Sequence, residues 1–269
     1  MQFSFSKSYS LLFLLLCVGN ASHSITTISS PLKKALTEQK NRDLFFAILD
    51  DKPNTKTIEM LLKQGANPNA KTWDGTETPA LIAAVLTGNE EIVPVLLAQG
   101  ADINGIDKDG NSALMYAMEH NNISLMKLLL KKGIALNIET AAFMRAIFHG
   151  KEEAVRLFIA NGIDINAKDE DLSTPLMIAV TLNHLTIAQL LINNGAKVNE
   201  KYTDDKCKNV YISPLLAAIL NRNPAMVQLL IENGADKAAI YQDGKTDGKT
   251  ALDFAIEQGN NDIIALLKA

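Results

Sequence analysis

Apolar residues along the chain fall into two kinds of run. Across residues 41–269 they recur every third and fourth position, as in Ile187, Leu190 and Leu191, and in Met226, Leu229 and Leu230, with polar residues between them. That spacing puts the apolar side chains on one stripe of a helix, so the pattern predicts a series of short amphipathic helices. Leu11–Val18 is different: eight apolar residues in a row, with no period and with Lys7 ahead of them.

The helical pattern is itself repeated, and a period of this length governs the fold more strongly than any local propensity. Leu61-Leu62-Lys63-Gln64-Gly65-Ala66-Asn67-Pro68-Asn69 returns as Leu96-Leu97-Ala98-Gln99-Gly100-Ala101-Asp102-Ile103-Asn104. Shorter copies close on Gly133, Gly162, Gly195 and Gly234, and a last one, Leu266-Leu267-Lys268-Ala269, stops where its glycine would follow. Glycine after each stripe suits the left-handed residue that ends a helix. Upstream of each stripe stands a second motif: Thr174-Pro175-Leu176-Met177-Ile178-Ala179 and Ser213-Pro214-Leu215-Leu216-Ala217-Ala218, with looser copies at Ser112–Ala117 and Thr250–Ala255. Thr or Ser there is an N-cap, and Pro is pre-set for the first helical turn. The small residue five positions on (Ala117, Ala146, Ala179, Ala218, Ala255) permits close helix approach. One helix pair cannot bury its own apolar face, so stability must come from stacking on neighbours.

These motifs resemble the ankyrin repeat, and the resemblance covers nearly all of residues 41–269. It implies an all-α solenoid of helix-turn-helix units with short β-hairpin fingers. About seven repeats are expected, at 41–69, 70–104, 105–137, 138–166, 167–199, 200–236 and 237–269, the first poorly matched. Residues 22–40 are expected to form a loose tether and a capping helix. Three departures stand out. Repeat four lacks most of its finger, since Asn137-Ile138-Glu139-Thr140 runs almost directly into a helix expected at Ala141. The finger before repeat six is enlarged, over Lys201–Ile212, and its flanking Tyr202 and Tyr211 are placed to pair across it. Pro94 falls inside a second helix, where it would delete a backbone hydrogen bond.

Residues 1–21 are expected to be a cleaved secretory signal. Leu11–Val18 is too short to span a bilayer, and Gly19-Asn20-Ala21-Ser22 offers small residues at the −3 and −1 positions of a cut after Ala21. The mature chain is then exported, periplasmic or secreted, with no stable membrane span, and a bacterial source is the natural one. Cleavage removes Cys17 and leaves Cys207 alone, which allows no internal disulfide.

Composition narrows the chemistry. With 26 Lys+Arg against 30 Asp+Glu the formal charge is −4, which argues against capture by nucleic acid phosphates. Gly244-Lys245-Thr246 and Gly248-Lys249-Thr250 have three residues between their glycines where a phosphate loop needs four, so they read as finger turns. Asp107-Lys108-Asp109-Gly110 lacks the first and twelfth carboxylates of a calcium loop. His120 and His149 occupy the same place in adjacent repeats, with Glu119 as the only nearby third ligand, and read better as solvated polar residues than as a metal site. No Gly-x-Ser-x-Gly elbow occurs. Neither an enzyme nor a cofactor is expected.

What the resemblance implies instead is a monomer that binds another protein in the concave groove lined by finger tips and first-helix ends. On the fingers these are Trp73 and Asp74, then Lys108, Asp109 and Asn111, then Glu170, Asp171 and Ser173. The helix ends add Leu86 and Thr87, Glu119 and His120, Phe148 and His149, Thr181 and Leu182, and Leu220 and Asn221. Trp73, the only tryptophan, is either an interface anchor or a ring folded over a neighbouring finger. Phe148 is either exposed in the notch beside the missing finger or turned inward to fill it. An alternative function is an envelope protein that binds a peptide or small molecule in that notch, which requires the notch to close into a pocket.

Overall fold

A computed structural model describes residues 24–50, 52–169, 171–200, 202–203, 211–238, 240 and 248–269. The proposed signal segment, Cys17, His23, Glu170, Asp204–Asn209 with Cys207, and Asp243–Asp247 lie outside the described residues.

Fourteen helices account for most of the described chain. They follow one another in antiparallel pairs: α1 (Ser24–Ile48) with α2 (Thr55–Lys63), α3 (Ala80–Leu86) with α4 (Ile92–Ala98), and α5 (Ala113–Glu119) with α6 (Ile123–Lys131). Next come α7 (Leu136–Phe148) with α8 (Glu152–Ala160), and α9 (Pro175–Thr181) with α10 (Leu185–Asn193). The series closes with α11 (Pro214–Leu220) against α12 (Pro224–Glu232), and α13 (Ala251–Glu257) against α14 (Asn261–Lys268). The first helices pack in order, α1 on α3, α3 on α5 and so on to α13, and the second helices form a row behind them. Fingers between pairs are hairpins: single antiparallel bridges join Lys71 to Pro79, Ile106 to Ser112 and Ile240 to Thr250. The enlarged finger has two-residue strands, β1 (Tyr202–Thr203) and β2 (Tyr211–Ile212). Their register sets Tyr202 opposite Ile212 and Thr203 opposite Tyr211, so the two tyrosines are not a cross-strand pair.

The expected local devices are in place. Hydroxyls of Ser112, Thr174, Ser213 and Thr250 each accept from the backbone N–H three residues on, and Pro175 and Pro214 open their helices. Ala84, Ala117, Ala146, Ala179, Ala218 and Ala255 are wholly buried at one level of the first-helix row, where a larger side chain would force the helices apart. Successive repeats are also stitched by asparagine. Asn69 donates to the Gly100 carbonyl and accepts from Asp102 N–H; Asn166 does the same for Gly195 and Lys197, and Asn199 for Gly234 and Asp236. These bonds satisfy backbone groups that the helix ends leave over.

Three expectations need correction. Residues 24–48 are one uninterrupted helix, so the segment expected as a tether runs without a break into the first repeat. Pro94 disrupts nothing: α4 begins at Ile92, so the proline stands in the first turn, where its missing N–H would have no partner. The helix of repeat four starts at Leu136, five residues before Ala141. The chain that elsewhere turns a finger here continues as helix, and Asn137 is drawn into it and out of the asparagine series.

From α3–α4 onward the turn inside each pair carries a second left-handed residue, at Gly88, Asn121, Gly150, Asn183, Arg222 and Gly259. Arg222, at φ 54°, is the one long side chain in that series. Asparagine tolerates this conformation better than other side-chain-bearing residues. Arg222→Asn is therefore expected to raise unfolding stability by about 0.5 kcal/mol, measured by urea denaturation.

Candidate functional site

First helices are almost fully enclosed, since fingers, neighbours and second helices surround them. Along α3, Ala80–Val85 are all buried and only Leu86 emerges; along α11, Pro214–Ile219 are buried and Leu220 emerges. At each first-helix C-terminus the last helical residue or the one after it is exposed, and together these positions make a narrow stripe that runs across the stack. The stripe includes Leu86, Phe148, Leu182 and Leu220, exposed by 43, 57, 37 and 44 %. Leu86, Phe148 and Leu220 hold the same place in their repeats, Leu182 stands one residue further on, and Glu119 and Thr181 take that place in the repeats between.

Trp73 joins the N-terminal end of this stripe, but not as a free anchor. Its ring meets Phe45 edge-on at 5.8 Å and Phe46 at 6.0 Å, and the Arg42 guanidinium lies 5.7 Å from its centroid. It remains 55 % exposed. The indole is therefore folded over a neighbour, helix α1 rather than a finger, and still presents a face to solvent. Beside it the Asp74 carboxylate accepts from the Thr76 hydroxyl and N–H, which hold its pKa below the ordinary value.

The middle of the stripe is polar: Asn111 and Glu119, both expected on this surface, meet Tyr116 and Arg145, whose part in it no motif of the sequence signalled. Asp107 is buried at the base of its finger. Burial by itself would raise its pKa, but the Tyr116 hydroxyl at 2.7 Å and the N–H groups of Asn111 and Asp109 outweigh that, and the net shift is downward. The same bond to Asp107 raises the Tyr116 pKa. Arg145, from the repeat without a finger, reaches back across the gap to donate to Asn111 Oδ1 and to pair with Glu119 at 2.6 Å. Lys151 adds a bond to the Glu119 carbonyl. Arg145 thus occupies the place where a finger contact would be. The only clue in the sequence was positional: Tyr116 and Arg145 occupy the same place in their helices.

Of the remaining expected residues, Lys108 and Asp109 are exposed on their finger turn, and Lys108 N–H bonds the Thr76 carbonyl of the preceding finger at 3.4 Å. Asp171 and Ser173 turn about the Asp169 carboxylate. Thr87, His120, His149, Leu182 and Asn221 cap first-helix C-termini; the Asn221 amide also bonds the Val180 and Thr181 carbonyls of the preceding repeat. Phe148 is turned outward, stacked edge-on with His149 at 5.3 Å, and its carbonyl meets His184 Nε2 at 3.3 Å. Glu119 is held by Arg145, and among the described residues no three His, Cys, Asp or Glu side chains gather as metal ligands. A cavity of about 410 Å³ lies away from Phe148, open and polar, between Arg222 and residues 258–262. No described helix is long and apolar enough to cross a membrane.

Two substitutions test this geometry. Tyr116→Phe is expected to cost about 1–2 kcal/mol at pH 7, where it removes a hydrogen bond to a buried carboxylate. A depressed carboxylate pKa contributes stability above the unfolded value and loses it as pH falls through the folded one. The difference between wild type and Tyr116→Phe should therefore shrink below the ordinary value of 3.8, in urea titrations across pH 2–7. Trp73→Ala should lower stability by about 1 kcal/mol through its lost edge contacts, read as a shift in the denaturation midpoint.

Comparison with known proteins comes to the same architecture. A family model described as ankyrin repeats, in three copies, matches residues 44–140, 135–202 and 203–269. The mouse B-cell lymphoma 3 protein homolog is 38 % identical over 105 residues, 37 % of this chain and 23 % of that protein. The chain thus spans less than a quarter of that relative's length. Among solved structures, the ankyrin repeat domain of Bcl-3 superposes with a TM-score of 0.69 at 25 % identity, covering 84 % of this chain and 97 % of that one. An ankyrin repeat domain from Acinetobacter baumannii AYE gives a TM-score of 0.61 at 27 % identity, over 72 % and 98 % of the two chains.

Proposed function

This chain belongs to the ankyrin repeat family, whose members generally mediate protein–protein interaction, and on that premise we propose that it is an exported, non-enzymatic scaffold that binds a protein partner in the groove between its fingers and first helices. The exposure of Leu86, Phe148, Leu182 and Leu220 at the ends of their first helices carries the proposal. Large apolar side chains spaced along the stack suit an elongated partner surface. Export rests on the apolar run Leu11–Val18 and the small-residue exit at Ala21. A notch pocket for a small molecule is less well supported, because Phe148 stands outward at the opposite end of α7 from the residues that replace the missing finger.

The test is a crosslinking pull-down from the native envelope fraction, with wild type beside a Trp73→Ala/Phe148→Ala double variant whose helical circular dichroism is unchanged. Wild type is expected to capture a discrete partner that the double variant loses. Equal capture by both, or capture by neither, would overturn groove binding.

A further inference from the structure

The apolar stripe is bordered by turns of one dominant sign. The fingers at 71–79, 106–112 and 168–174 carry three lysines (Lys71, Lys108, Lys168) against seven carboxylates (Asp74, Glu77, Asp107, Asp109, Asp169, Glu170, Asp171). Two of those lysines are already engaged: Lys71 with Glu77 at 3.6 Å, and Lys168 with Glu200 at 2.7 Å. Asp74, Asp109 and Asp171 stand exposed at the turns. On the floor between them Arg145 is paired with Glu119, whose carbonyl also accepts from Lys151. The later fingers do not share this bias, since 201–213 and 237–250 each hold three lysines against two aspartates. The surface from Trp73 to Leu182 is therefore an apolar strip with an acidic border.

We infer that the occupant of this surface is a cationic amphipathic helix of a partner protein, its apolar side on Leu86, Phe148 and Leu182 and its Lys or Arg residues against Asp74, Asp109 and Asp171. This inference rests on the groove-binding function proposed above and specifies the chemistry of the partner. Lengths agree. Stacked helices lie about 8–10 Å apart, so the three steps from the Leu86 helix to the Leu182 helix span about 24–30 Å. A helix of about 16–20 residues covers that distance. The carboxylates on the border would attract the cationic helix and reject an anionic one of the same apolar pattern, which is how charge at a rim confers selectivity. The Glu119–Arg145 pair midway requires a polar residue at the centre of the bound helix, which breaks its apolar stripe once.

Two synthetic helices of about 18 residues test the inference, with identical leucine stripes, one carrying lysine and the other glutamate at every flanking position. Trp73, the only tryptophan, reports binding to the full-length protein by its fluorescence. The lysine helix is expected to bind about tenfold or more tighter than the glutamate helix at low salt, and most of that preference should vanish at about 0.5 M salt. Asp109→Lys/Asp171→Lys, checked for unchanged circular dichroism, should reverse the preference, and Phe148→Ser should weaken both helices. Equal or tighter binding of the glutamate helix, or a preference untouched by the charge reversal, would overturn the inference. So would binding of neither peptide. In each of these cases a partner captured in the pull-down would leave groove binding standing with different chemistry, whereas an empty pull-down alone would remove the function on which the inference rests.

Discussion

Everything in this protein depends on the fact that a pair of seven- to nine-residue helices cannot cover its own apolar face. Burial has to come from the next pair, and the next pair can approach only where side chains are small. Ala84, Ala117, Ala146, Ala179, Ala218 and Ala255 provide that approach, all without solvent exposure, and the leucine, isoleucine and methionine stripes close over them on either side. Each interface is local, so stability spreads along the stack as a sum of neighbouring contacts. A core of this kind has no single centre, and it needs few aromatic residues.

The same constraint explains how the stack tolerates the loss of a finger at its middle. Between α5 and α7 the asparagine link is incomplete: Asn104 still accepts from Ala135 N–H, but Asn137 has become part of a helix. Apolar stacking continues through Ala142, Phe143, Ala146 and Ile147. Polar compensation comes from Arg145, whose long side chain bridges to Asn111 and Glu119, and from Lys151 on the Glu119 carbonyl. A guanidinium replaces several backbone contacts because its donors form a rigid fork that can serve two acceptors at once.

Function follows from what stacking leaves uncovered. The first-helix row is enclosed except for a stripe at the helix ends, and the first three fingers carry carboxylates at their turns. This is the surface on which we propose that an elongated partner docks by apolar contact and is selected by charge. Arg145 contributes through its pairing with Glu119: the ion pair spans the gap of the missing finger with no net charge of its own. Trp73, braced by Phe45, Phe46 and Arg42, extends the apolar strip toward the N-terminal helix.

Repeat architecture, capping hydroxyls and the left-handed glycines were all legible in the amino-acid sequence, because each depends on residues close together in the chain. So were the ends of the first helices as an exposed row, since position within a repeat dictates exposure. The sequence did not disclose the second left-handed position inside each pair, where glycine, asparagine and Arg222 alternate without a common residue type. Nor did it disclose the Asp107–Tyr116–Asn111–Arg145–Glu119 cluster, or the bracing of Trp73 by a helix some thirty residues earlier in the chain. The Arg145 and Trp73 contacts join side chains from different repeats. Only the stacking distance and the absence of a finger bring them together, and both are properties of the assembled solenoid rather than of any one segment.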